Sequence, residues 1–202
     1  MLLNPRWHAQ RYRAVVAAAL WVGVSATTLS AGPGIDADLR VFLTQTIAKT
    51  SSFDDRFDAQ VWLVDMQQRL APFVANPEER LELLIDVHQA ATESGLPPEL
   101  VLALIEVESN FDRFAVSRAG AQGYMQIMPF WRDEIGRPRD NLVNAKTNLS
   151  YGCRILQYYL EKESGNLHRA LAAYNGSQGS RRYSDKVYRA WSQRWRTAPL
   201  NW

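Results

Sequence analysis

The sequence predicts an all-α protein. Apolar residues recur at three- and four-residue steps over most of the chain beyond residue 54, the spacing that lines one face of an α-helix. Asn, Pro and Gly stand at the ends of those runs, where helices start and stop. No strand-length alternation bounded by hairpin signals breaks the pattern, although the Gly-rich stretch 115–128 reads as extended. Neither an internal repeat nor a low-complexity linker is present.

Taken in order, Leu63, Met66, Leu70 and Phe73 share a face and predict a helix across roughly 54–74. Asn76 is an N-cap followed by Pro77 and two first-turn acids, Glu78 and Glu79. From there Leu81, Leu84, Ile85 and His88 line one face until Ser94-Gly95 stops the helix, and His88 reads as a hydrogen-bonded core histidine. Pro97-Pro98-Glu99 opens the next helix, which runs to about Glu108. Two more follow over Leu149–Glu161 and Leu167–Tyr174, the second with Asn166 as cap and Gly176 as stop. The stretch Ser184–Trp195 is basic and aromatic. In and around it, Arg181-Arg182, Lys186, Arg189, Arg194 and Arg196 read as a solvated face with Trp191, Trp195 and Trp202 packed, the alternative being contact with nucleic acid or an anionic membrane.

Of 202 residues, 47% are hydrophobic and 22% charged, which excludes a disordered chain, a collagen and a multi-span membrane protein. The net charge of +2 hides a split. Residues 36–112 carry fifteen acids against five bases, and 113–202 six acids against fifteen bases. Such a division means either a basic partner surface or two halves that attract on folding. Cys153 stands alone, so no intramolecular disulfide forms, and His8, His88 and His168 lack zinc-ligand spacing, so no metal is expected.

Residues 1–31 read as an export signal. Arg6, Arg11 and Arg13 precede an apolar run from Ala14 to Val24, shorter than the ~20 residues of a spanning helix, and small residues follow. Cleavage would fall after Ala26 or Ala31, and the alternative is an uncleaved anchor in the inner membrane. Export, to the periplasm or beyond, is the expected address. Residues 32–79 then form an N-terminal helical extension, and 80–202 the main domain.

Within the helix after Pro97, Val101, Leu104, Ile105 and Glu108 fall on one stripe, while Glu106 points nearly opposite as a solvent-facing acid. A carboxylate among apolar side chains loses hydration and its pKa rises, as a general acid requires. The alternative is a frayed helix end whose Glu108 reaches water or caps the next element. Gly120, Gly123, Met125, Gln126, Met128 and Pro129 follow within 21 positions. Together they suit a groove beside the acid, or equally a tight turn packed under a helix. Tyr174 shares an inward stripe with Leu167, Ala170 and Leu171, so its hydroxyl needs a partner: a buried Glu, or more commonly a backbone carbonyl.

Three segments, Glu108-Ser109-x-Phe111, Gly120-Ala121-x-Gly123-Tyr124-Met125-Gln126-Ile127-Met128-Pro129 and Ala173-Tyr174-Asn175, with Ser117 nine positions after Glu108, resemble the bacterial soluble lytic transglycosylases, relatives of goose-type lysozyme. The resemblance runs from about residue 80 to 190. It implies a lysozyme-like helical fold with a peptidoglycan groove, and Glu108 as the single catalytic acid and base. Ser117 would help hold the substrate or the carboxyl group, Gln126 and Met128 would line the groove, and Tyr174 would hydrogen-bond near the acid. The implied reaction cuts the β-1,4 bond between N-acetylmuramic acid and N-acetylglucosamine, closing a 1,6-anhydro ring. Peptidoglycan strands are the implied partner, with a membrane surface or secretion machine as a further one for some small members. No cofactor and no nucleic acid are expected, and the chain is expected to be a monomer. Tyr124 replaces the usual Leu and would add bulk to the groove wall. Asp112-Arg113 replaces Asn-Pro, and Gly176-Ser177 replaces Ala-Gly. A hydrolytic muramidase and a non-catalytic wall-binding protein are the alternatives.

Overall fold

The computed structural model describes residues 56–197. The export signal read over 1–31, residues 32–55 and Trp202 lie outside the described residues. In chain order the elements are α1 (Arg56–Leu70), α2 (Pro77–Glu93), α3 (Pro98–Ser109), α4 (Trp131–Ile135), α5 (Ala145–Lys162), α6 (Leu167–Tyr174) and α7 (Arg182–Ala190), closed by a π-helical turn, Trp191–Trp195. The fold is all-α. Among the described residues the stretch expected to be extended is a curled loop, closed by isolated antiparallel bridges of Gln122 to Val116 and to Ile127. Helix α4 is the element that periodicity did not foresee: it has five residues and buries none of them.

The capping side chains do what their chemistry dictates. Asn76, Asn144 and Asn166 each accept a hydrogen bond from the backbone N–H three residues on, a contact worth about 1 kcal/mol. Helix α2 runs unbroken across residues 79 and 80, so the division drawn there falls inside a helix, and α1 packs on α2.

At the centre lies α3, packed against α2, α7 and the π-helical turn. Its six residues from Leu100 to Ile105 are all buried, as expected of a helix that is apolar all round. The helix then stops abruptly. Asn110 and Phe111 both take left-handed backbone, with φ of 51° and 64°. For Phe111 that conformation costs about 1–3 kcal/mol. Its ring is wedged 5.0 Å from Phe73 and 5.4 Å from Trp195, and this aromatic packing holds the strained turn in place. The carboxylates of α3's last turn are thereby fixed by contacts from both ends of the described chain.

The remaining aromatic and basic residues divide cleanly. Trp191 and Trp195 are buried, while Arg181, Arg182, Lys186 and Arg189 are exposed. His88 is half-buried, its ring edge-on to Trp62 at 5.2 Å.

Candidate active site

Glu108 sits on the last turn of α3, one residue before the helix ends. Its carboxylate accepts a hydrogen bond from the Tyr183 hydroxyl on α7, and among the described residues no cation pairs with it. Burial pushes its carboxyl up to about 7, and the Tyr183 bond pulls more weakly the other way. Both nearby phenols are pushed well above the usual tyrosine range, first by burial and then by the charge of Glu108. They therefore stay protonated donors throughout the range in which Glu108 titrates. Tyr174 lies close enough for Glu108's charge to act on it, yet its hydroxyl donates to the Met125 carbonyl at 2.8 Å. The phenol bonded to the acid is Tyr183, which the sequence reading passed over. A signal existed: Tyr183, Val187 and Trp191 recur every four residues on an otherwise polar helix.

Glu106 differs from its expectation as a solvent-facing acid. Its side chain is only 17% exposed. Trp195 donates its indole N–H to Glu106 Oε2 at 2.7 Å, and Arg194 Nε lies 3.5 Å from the same oxygen. The C-terminal π-helical turn folds over the face that the helical wheel left open to water.

The loop 115–128 is pinned onto this framework at defined atoms. Ser109 donates its hydroxyl to the Tyr124 carbonyl at 2.8 Å, tying the end of α3 to the loop. Asn148, fully buried on α5, accepts from Met125 N at 2.8 Å and donates to the carbonyls of Gln122 and Leu142 at 2.8 and 2.7 Å. This buried amide leaves none of its hydrogen-bonding groups unpaired. Two glycines permit the approach. Gly123 has φ of +75° and no room for a Cβ against Asn148, and a Cβ at Gly152 would meet Met125 Sδ at 2.3 Å.

Within the loop, Gln126 (φ 50°) donates its amide to the carbonyls of Ala115 and Gly123 at 3.1 and 3.0 Å, so only its carbonyl oxygen is left for a ligand. The Ser117 hydroxyl oxygen accepts from Ala121 N at 3.0 Å and retains its O–H to donate; no hydrogen bond joins it to Glu108. Met128 is half-buried. Tyr124 lines a cleft against α2. Asp112 closes a local turn with one oxygen, Oδ1 accepting from Phe114 N at 2.8 Å. Among the described residues no group of three or more His, Cys, Asp or Glu could hold a metal ion, and no helix is long and apolar enough to cross a membrane.

A poised carboxyl at a helix end, a phenol upon it and a pinned glycine-rich loop beside it define a class of acid-bearing helical domain, and sequence comparison gives the class its family. Residues 86–195, more than half the chain, match the model of the transglycosylase SLT domain, and the chain belongs to that family. It is 29% identical over 110 residues to membrane-bound lytic murein transglycosylase C of Photorhabdus laumondii, covering 46% of this chain and 31% of that protein. The protein of the same name from Salmonella typhi is 30% identical over 110 residues, with the same coverage. The chain thus spans about a third of the length of the curated relatives it matches. Among solved structures, it is similar to lytic transglycosylase Slt of Pseudomonas aeruginosa, at 27% identity and a TM-score of 0.41 over 48% of this chain and 17% of that one. The 70 kDa soluble lytic transglycosylase of Escherichia coli is 21% identical, with a TM-score of 0.41 over 75% of this chain and 28% of that one.

Proposed function

We propose that this protein is an exported murein lytic transglycosylase in which Glu108 is the sole acid and base. The observation that carries the proposal is the environment of that carboxyl: buried, held by one phenol, unpaired with any cation among the described residues and raised to about 7. Such a group is protonated at the start of the reaction and able to take a proton back later. The substrate comes from the relatives, whose names place them on murein.

In the proposed reaction, protonated Glu108 donates to the glycosidic oxygen as the bond from C1 of N-acetylmuramic acid breaks. The N-acetylglucosamine end leaves as an alcohol. Electron density at C1 is restored first by the substrate's own acetamido oxygen and then by its C6 hydroxyl. The Glu108 carboxylate takes the C6 proton as the 1,6-anhydro ring closes. Proton and bond counts balance without water, so a second protein carboxylate, which ordinary glycosidases require, has no task. Tyr183 acts as a positioning residue, holding one carboxylate oxygen so that the other faces the bond. The Gln126 carbonyl oxygen and the Ser117 O–H are the groups left to grip the sugar, with Met128 and Tyr174 framing the groove. The basic and apolar stretch from Arg6 to Val24 would carry residues 32–202 across the inner membrane, where the domain works as a monomer.

Digestion of purified murein sacculi, with the soluble products weighed by mass spectrometry, tests the reading. Products ending in 1,6-anhydromuramic acid, absent with Glu108→Gln, are expected. Reducing ends would assign hydrolysis instead, and no release beyond the Glu108→Gln control would assign a wall-binding role.

A further inference from the structure

A cleft of about 540 Å³ carries chemistry that the proposed reaction does not use. None of Glu108, Ser117, Gln126, Met128, Tyr174 or Tyr183 lines it. One wall is Phe73 with the α2 face bearing Glu79, Glu82 and Asp86. The other is the loop after α3, through Asp112 and Phe114, with Tyr124. Phe73, Glu79 and Glu82 precede the family match at residue 86, and the second wall lies within it. The cleft therefore straddles the start of the family match, which falls within α2.

Its charge is one-sided. Glu79, Glu82, Asp86 and Asp112 open on it against Arg113 alone, with Lys146 Nζ at 3.7 Å from Asp86. Glu79 has a local reason to be there, since a first-turn acid complements the helix dipole. Glu82 and Asp86 stand one and two turns further along and have no such reason. Burial pushes the Asp86 carboxyl up and Lys146 pulls it down, while neighbouring Glu82 pushes it up again. The carboxylates also converge: after burial and Arg113, the charges of Glu79, Asp86 and Asp112 act together on the Tyr124 hydroxyl. Of the residues that line the cleft, Phe114 is 67% exposed. Arg113 already lies over the Phe114 ring at 5.3 Å, an internal instance of a guanidinium on that aromatic.

We propose that this cleft docks an arginine-bearing segment of a partner protein. The guanidinium would stack on Phe114 and Tyr124 and reach Glu82, Asp86 and Asp112. An arginine suits both surfaces, because its planar fork stacks on rings and pairs with carboxylates. A lone cation would need no exposed phenylalanine beside the acids, whereas an apolar anchor within a charged rim is the layout of a protein interface. The acids repel polyanions and anionic lipid. The proposal stands independently of the reaction at Glu108.

The test uses the full chain and a capped, fluorescently labelled hexapeptide of alternating arginine and glycine, with a citrulline peptide of the same shape as control. Fluorescence anisotropy at low salt is expected to show binding of the arginine peptide alone. Glu82→Gln and Phe114→Ala should each weaken it about three- to tenfold while leaving murein release unchanged. Glu134→Gln, which removes a charge outside the cleft, should not weaken it. Equal binding of the citrulline peptide, or unchanged affinity in both cleft variants, would overturn the proposal. So would a matching loss in Glu134→Gln, which means diffuse attraction. Equal affinity for N-acetylarginine amide means a site for a lone cation and overturns it as well.

Discussion

Two carboxylates sit two residues apart on the last turn of α3, and they have been given opposite surroundings. Glu106 is covered by the C-terminal π-helical turn, which supplies an indole N–H and a guanidinium. Glu108 is covered by α7, which supplies a phenol and no cation. One carboxylate is paired as a structural latch, and the other is left with its ionisation held back by burial. What distinguishes them is therefore the partner rather than exposure, since both are largely out of water. Burial with only a phenol for a partner raises the Glu108 carboxyl to about 7.

The sharpest way to break that contrast is to neutralise each acid in turn. Glu108→Gln is expected to lower anhydro-product release by about 10² to 10⁴-fold, the usual span for a general acid, whereas Glu106→Gln should stay within about tenfold of the parent. Reversal of the two outcomes, read by the same sacculus assay, would sink the assignment.

Stability should separate them in the other direction. The folded-state pKa of Glu108 is raised, so folding carries no ionisation cost below about 4.5 and the full cost above about 7. Glu108→Gln should therefore stabilise the fold by up to about 3 kcal/mol at pH 8 and by almost nothing at pH 4. Glu106→Ala should instead destabilise it by about 2 kcal/mol at pH 7, because the Trp195 N–H and Arg194 lose their acceptor. Urea midpoints for both variants at two pH values check this.

Tyr183→Phe should act through the acid rather than through folding alone. It removes the one hydrogen bond that opposes burial, so the Glu108 carboxyl rises further. The alkaline limb of the pH–rate profile should move to higher pH while turnover at pH 6 falls about tenfold. An unmoved limb would remove the positioning role. Smallest is Tyr174→Phe, which frees the Met125 carbonyl and should cost about 1 kcal/mol of stability, leaving the limb where it was. Thermal unfolding and the same profile report both.

Much of the scaffold was legible because its signals are local. Asn76 and Asn166 cap helices through bonds to residues three positions away, and α2, α3, α5 and α6 appear within a few residues of where their apolar spacing puts them. The burial of Glu108 was legible for the same reason, its apolar neighbours lying on its own helix. The errors share a cause. A helical wheel divides α3 into a dry and a wet face, but the cover for Glu106 comes from Trp195, 89 positions away. The bond from Tyr183 crosses 75 positions. Helix α4 buries nothing, so no apolar period could announce it.

The central claim, that burial without a cation poises Glu108, can be read without turnover. Glutamate labelled with ¹³C at the side-chain carboxyl would be titrated by NMR, the Glu108 resonance being the one missing from Glu108→Gln. A midpoint about 7 is expected; a midpoint in the ordinary carboxylate range, near 4.5, would contradict the account.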